Sequence, residues 1–139
     1  MSVIVTDSGF GTDDWTHGFT ALDQLAANDA PPAVAIELGS DADPSTLEAR
    51  LNDIDLICVD FPSFADGRGF TIARRLRLMG FHGRLRAKGH VIADQYAMVR
   101  RSGFDEIEIN DDLARRQPED QWLARTNWKA HDYQSRLRA

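Results

Sequence analysis

Asp66-Gly67-Arg68-Gly69 stands directly before a helical stretch, and its residue types come nearest to those of a ligand site. Glycines let backbone N–H groups approach an anion, a helix N-terminus adds partial positive charge, and an arginine grips two oxygens at once. The chemistry this predicts is recognition of a phosphate or sulfate group, with Lys88 and Gly89 as further ligand-binding candidates. The same residues also make a plain turn, with Asp66 capping the helix and Arg68 paired to Asp60 or Asp66. Asp60 and His90 are the catalytic candidates, a carboxylate and an imidazole suited to acid–base work near neutrality.

Other chemistries find little support in the residues. Cys58 is the single cysteine, which excludes an internal disulfide and any protein-only four-thiolate zinc or iron–sulfur site. Set among Leu56, Ile57 and Val59, it reads as a small buried hydrophobe rather than a reactive thiol. His17, His82, His90 and His131 show no ligand spacing, so no metal is expected. Gly9-Phe10-Gly11 lacks the rest of a dinucleotide fingerprint and the Lys-Ser/Thr of a phosphate loop, and reads as plain loop. No Gly-x-Ser-x-Gly elbow or paired-cysteine motif occurs, and no cofactor is evident.

The elements that must position these residues follow from periodicity. Ile54 to Asp60 is an unbroken apolar run, suited to a parallel strand covered on both faces. It opens into the polar loop 61–70, beyond a strand's carboxyl end, where ligands of open α/β sheets sit. Val3–Val5 and 33–38 are predicted strands, and Phe19 to Asn28 a helix stopped by Pro31-Pro32. Asp43-Pro44-Ser45 reads as an N-cap and first turn, with Ser45/Glu48 as an alternative capping pair before Leu47 and Leu51. After the loop come a helix over Thr71–Met79, a strand over Arg84–Ala87, a helix over Val91–Ser102 and a strand over Asp105–Ile109. Asn110-Asp111-Asp112 can cap a further helix.

Gly80-Phe81 and Gly103-Phe104 recur at an interval of 23 residues, each joining a helix with an Arg-Arg pair to a strand. Such tandem βα units predict an α/β fold. The expected form is a mostly parallel sheet of about five strands in three layers, either a flavodoxin- or Rossmann-like open sheet or an incomplete βα barrel. Right-handed crossovers between parallel strands would bring Asp60, Asp66, Arg68, Lys88, His90, Asn110 and Asp111 to one rim. The chain is expected to be one domain, 1–139, with a core at 33–112 and a helix or arm at 118–139. Trp122, Trp128 and Tyr133 in that arm would suit an interface, and so a homo-oligomer.

Composition is that of a soluble globular protein, 42% apolar and 27% charged. No apolar run approaches the ~20 residues of a membrane span, and the start lacks a basic leader, so a cytoplasmic location is expected. Residues 1–66 hold 13 acids and one base, whereas residues 67–139 hold 9 acids and 15 bases. Nine cations against one acid, Asp94, lie between Arg68 and Arg101. The bland reading is that the two halves neutralise each other or that the arginines line solvated helices; the sharper one is a basic concavity for a small anion. Nucleic acid is not expected, since the net charge is −6 and no recognition motif accompanies the arginines.

The run from Asp60 to Arg74, with Gly83 to Val91, Asp94-Gln95 and Arg100 to Asp105, closely resembles the bacterial family catalogued as domain of unknown function 934. The resemblance covers roughly residues 33–112. Members usually lie beside sulfite reductase in sulfur-assimilation operons, and many carry the name "oxidoreductase probably involved in sulfite reduction". The resemblance therefore implies a role supporting sulfite reduction, with reductase components as partners. His90 stands where the family pattern usually has Asp, and Tyr133-Gln134-Ser135-Arg136 replaces its aromatic-Gln-Pro ending. The alternatives are an independent enzyme acting on a phosphorylated or sulfated metabolite, and a non-catalytic oligomerisation module.

Overall fold

The computed structural model describes residues 2–15, 18–19 and 34–128. The predicted helix over Phe19–Asn28 and the tail after Trp128 lie outside the described residues, Phe19 aside. Six strands form one sheet in the order β2-β1-β6-β5-β4-β3. They are β1 (Ser2–Thr6), β2 (Gly9–Gly11), β3 (Ala35–Leu38), β4 (Leu56–Phe61), β5 (Arg84–Gly89) and β6 (Glu106–Asn110). Strands β3 to β6 are parallel, as expected for the segments ending near Asp60, Ala87 and Ile109. Of the five expected strands, the first departs from the parallel sheet, since β1 pairs antiparallel with β6, and β2 is a sixth strand, antiparallel to β1. Gly9-Phe10-Gly11 is thus an edge strand and not a plain loop.

The chain from β3 to β6 steps across the sheet one strand at a time and never reverses. Right-handed crossovers in one direction place all their connections on one face. Burial agrees. Side chains alternate along a strand, and Ile36, Leu38, Ile57, Val59, Phe61, Leu85, Ala87 and Ile107 meet the helices in one apolar cluster. That cluster takes in α1 (Arg68–Leu78) through Ile72 and Leu76, and α2 (Tyr96–Ser102) through Tyr96 and Val99. Short helices α3 (Asp111–Arg116) and α4 (Glu119–Leu123) join it through Leu113 and Trp122. Among the described residues a helical layer therefore covers one sheet face.

The other face is charged. Arg84, Arg86 and Lys88 sit at every second residue of β5, opposite Glu106 and Glu108 of β6. Arg86 is fully buried. Its Nε donates to Glu106 at 2.6 Å, its Nη1 to Glu108 at 2.9 Å, and its Nη2 to Asp13 at 3.0 Å. Arg84 Nη2 shares the same Glu106, 2.9 Å from each oxygen, and reaches Asp14 at 2.8 Å. Two consecutive aspartates after β2 thus fasten their loop to the sheet.

Local signals explain the other boundaries. Asp43 caps its segment by accepting from Ser45 N at 3.0 Å, but Pro44–Asp53 winds as a 3₁₀ helix, burying Leu47 and Leu51. The helix predicted over Val91–Ser102 begins as a 3₁₀ turn, Ala93–Gln95, before α2. Asn110 caps α3 as expected, accepting from Leu113 N at 2.8 Å. The 23-residue recurrence has a physical core: Gly80 and Gly103 both take positive φ, and Phe81 and Phe104 both turn back into the apolar cluster. Arg77 donates to the Phe81 carbonyl and Arg100 to the Phe104 carbonyl, each four residues on.

A buried cation loses far more when stripped of one partner than when the whole pair is replaced. Arg86→Ala should therefore destabilise the chain by roughly 3–5 kcal/mol, by leaving the buried Glu106 with Arg84 alone and taking from Glu108 and Asp13 their shared cation. Arg86→Met with Glu106→Leu should recover much of that loss. Urea denaturation midpoints decide it, and an Arg86→Ala midpoint equal to that of the parent would refute the assignment.

Candidate functional site

Parallel register brings the ends of β4 and β5 together, pairing Asp60 with Lys88 and Phe61 with Gly89. A side chain at Gly89 would place its Cβ 2.8 Å from the Phe61 carbonyl oxygen and 3.4 Å from Asp60 Oδ1. Glycine is thus needed for this close approach, in a conformation with φ of 111° that disfavours other residues. His90, the next residue, donates its N–H to the Phe61 carbonyl at 2.9 Å. Its Nδ1 lies 3.3 Å from the same oxygen. That contact is a hydrogen bond only with the proton on Nδ1, which leaves Nε2 as an acceptor.

The loop after β4 closes over this point. Phe64 meets the His90 ring edge-on at 5.3 Å, and Gln95 Nε2 donates to the Phe64 carbonyl at 3.0 Å. Gln95 Oε1 accepts from Ile92 N, so one amide ties the β4 loop to the turn after β5. Asp60, part-exposed, makes no hydrogen bond or ion pair among the described residues, and none joins it to His90. The structure therefore brings Asp60, Gly89 and His90 to neighbouring strand ends, with the imidazole braced and the carboxylate unengaged.

Arg68 and Gly69 do not belong to the loop, as the predicted start of the helix at Thr71 would have it: they form the first turn of α1, with Gly67 as N-cap. Asp66 grips Arg68 with both oxygens, accepting from Nε at 3.0 Å and Nη2 at 2.7 Å, and accepts the Arg68 N–H as well. These hydrogen bonds hold the Asp66 carboxyl down at about 2. Arg68 also donates to Ser40, in the loop after β3, at 2.9 Å. Gly69 is buried, and a Cβ there would lie 2.4 Å from the Phe61 ring. Its lack of a side chain serves helix-to-strand packing.

Lys88 and Gly89 end β5 rather than follow it, which lengthens the predicted strand by two residues. Lys88 Nζ donates to Glu37 of β3 at 3.2 Å, across the charged sheet face. Cys58 shares that face. It is fully buried, and burial, followed by the nearby charges of Glu37 and Glu108, pushes its thiol up to about 12. No cluster of three metal-ligating side chains exists among the described residues. The charged face escaped the sequence reading, although Arg-x-Arg-x-Lys in β5 and Glu-x-Glu in β6 announce it once the two strands are aligned.

A family model described as a bacterial protein of unknown function, DUF934, matches residues 35–139. The chain belongs to this family. The match runs through the tail, well beyond the 33–112 core on which the likeness was first seen. A comparison with curated proteins finds no match. No helix among the described residues is long and apolar enough to cross a membrane.

A thiol held this far above neutrality forms almost no thiolate, the reactive species. The native chain should consequently take up no aromatic disulfide reagent at pH 8 over an hour, and one equivalent after denaturation. Stoichiometric labelling of the native chain within seconds would show that Cys58 is accessible after all.

Proposed function

We propose that this DUF934 chain is an accessory protein of assimilatory sulfite reduction that works by binding a component of the reductase, and not by carrying electrons itself. The observation that carries this reading is the state of Cys58: the chain's one thiol is buried in β4 and poorly ionised, so thiol redox exchange is closed to it. The link to sulfite reduction comes from the family the chain belongs to, whose members resemble it through the Asp60–Arg74 run. The cations nearest the rim are already satisfied, Arg68 by Asp66 and Lys88 by Glu37. What such a surface offers a reductase is shape and charge. Mixed with the cognate reductase hemoprotein, the chain should co-elute with it or raise its rate of sulfide formation. If neither happens at micromolar concentrations, the reading is wrong.

A second reading rests on Asp60, whose carboxylate is unengaged beside the braced His90. In it, the rim acts on a phosphorylated or sulfated small metabolite, with Asp60 and His90 as the acid–base pair. Gly67, Arg68 and Gly89 would meet the anion, Asp66 and the buried Gly69 would position the turn that carries Arg68, and Lys88 would assist from the strand end. Binding stabilises a fold by RT ln(1 + [L]/Kd), about 2.7 kcal/mol at 100 Kd. Saturable thermal stabilisation by sulfate or phosphate, lost in Arg68→Ala, is the expected result. A flat response to both anions would remove this reading.

A further inference from the structure

We propose that the outer face of helices α1 and α2 is the docking surface for the reductase component, and that it meets an apolar patch ringed by carboxylates. This rests on the accessory reading above and names the part of the chain that would perform it. The two helices contain no acidic residue; their charges are Arg68, Arg74, Arg75, Arg77, Arg100 and Arg101. Four of these are neutralised within the chain, by Asp66, Asp43, Asp105 and Asp7. Arg74 has no partner among the described residues, and Arg101 reaches only the Trp128 carbonyl, at 3.3 Å.

Each of these two unneutralised cations shares its helix with an exposed apolar side chain. Leu78 is 82% exposed and Met98 53% exposed, while the same helices bury Ile72, Leu76 and Val99. A single exposed leucine is ordinary. The placement is what matters. Arg74 and Leu78 are four residues apart on α1, and Met98 and Arg101 three apart on α2, so each pair shares a helix face. The helices pack side by side, and Arg77 Nε donates to the Gly103 carbonyl at 3.0 Å across their C-terminal ends. The result is two exposed apolar side chains and two unneutralised arginines on the outer faces of neighbouring helices, residue types enriched in protein interfaces.

Charge selects the occupant. A phosphate track of nucleic acid or an anionic membrane needs many cations, and the chain carries a net −6. Two free arginines beside exposed apolar side chains suit a folded protein with a few carboxylates around an apolar patch. Such complementarity governs orientation and association rate more than raw affinity. The face is also the opposite one from the buried Arg86 network, so docking there leaves that network untouched.

The test titrates the purified chain against the reductase hemoprotein at two salt concentrations. Leu78→Asp and the double variant Arg74→Glu/Arg101→Glu are compared with a control, Arg115→Glu on exposed α3. All the altered side chains are exposed, so melting temperatures should match the parent and certify folding. Expected is a loss of affinity of about tenfold or more for the first two, as for interface anchors. The control should bind normally, and the double variant should lose most of the salt dependence. If the parent binds or stimulates sulfide formation and these variants do so equally, the face is not the docking site, although the accessory reading survives. A parent that self-associates reversibly, with Leu78→Asp abolishing it, would show that a second copy covers the face and overturn the proposal. A parent with no complex and no effect on sulfide formation removes both proposal and reading.

Discussion

Strand β5 must be two things at once, and the structure follows from how it manages both. Leu85 and Ala87 face the helices, while Arg84, Arg86 and Lys88 face the other way. Arg86 is tolerated in full burial only because Glu106, Glu108 and Asp13 surround its guanidinium with carboxylate oxygens. Burial alone would lower its affinity for a proton; the hydrogen bonds to Asp13 and the charge of Glu106 outweigh that and raise it. The cluster ties β5 to β6 and the loop after β2 to both. A one-residue slip of β6 against β5 would turn Glu106 and Glu108 into the apolar layer and leave Arg86 without them.

The same two-sidedness fixes what kind of α/β fold this is. A doubly wound sheet reverses its strand order, and the crevice at the reversal is where ligands enter. Here β3 to β6 advance without reversal, so no such crevice opens among them. Their carboxyl ends instead carry a shallow rim closed by side chains that bond to one another: Asp66 to Arg68, Arg68 to Ser40, and Gln95 to the Phe64 loop. Asp60 stands apart from that pattern. A carboxylate left unengaged beside a braced imidazole is the feature of the rim that packing does not explain.

A second network joins distant parts of the chain on the far side of the helical layer. Asp7, in the turn after β1, accepts from Tyr96 at 2.5 Å and from Arg100 at 3.3 Å. Burial pushes the Asp7 carboxyl up, but the hydrogen bond from Tyr96 and the charge of Arg100 outweigh it, leaving it lowered. Arg100 also lies over the Trp128 ring, 4.9 Å from its centroid. The N-terminal hairpin, α2 and the segment after α4 are thus fastened at one point. Arginines in this chain mostly act as staples of this kind, which is why the few that staple nothing stand out.

Much was legible in the sequence, for local reasons. The apolar run at 54–60, the Gly-Phe pairs and the Asn110 cap each act within a few residues, and each predicted its element. The excess of cations in the second half was legible as well, but not its meaning. The nine cations between Arg68 and Arg101 read as facing the acidic first half, as lining solvated helices or as a basic concavity. The choice was not legible because the partners lie far away: Asp13 is 73 residues from Arg86, and Asp7 is 93 from Arg100. Gly69 and Gly89 read as an anion cradle, whereas close contact with the Phe61 ring and carbonyl is what requires them. Sequence by itself determined where most strands and helices form, β2 apart, since backbone preference and side-chain period are local. Only the tertiary structure decided which charges cancel, which glycines are filled against, and that the sheet winds one way, because those depend on which strand lies beside which.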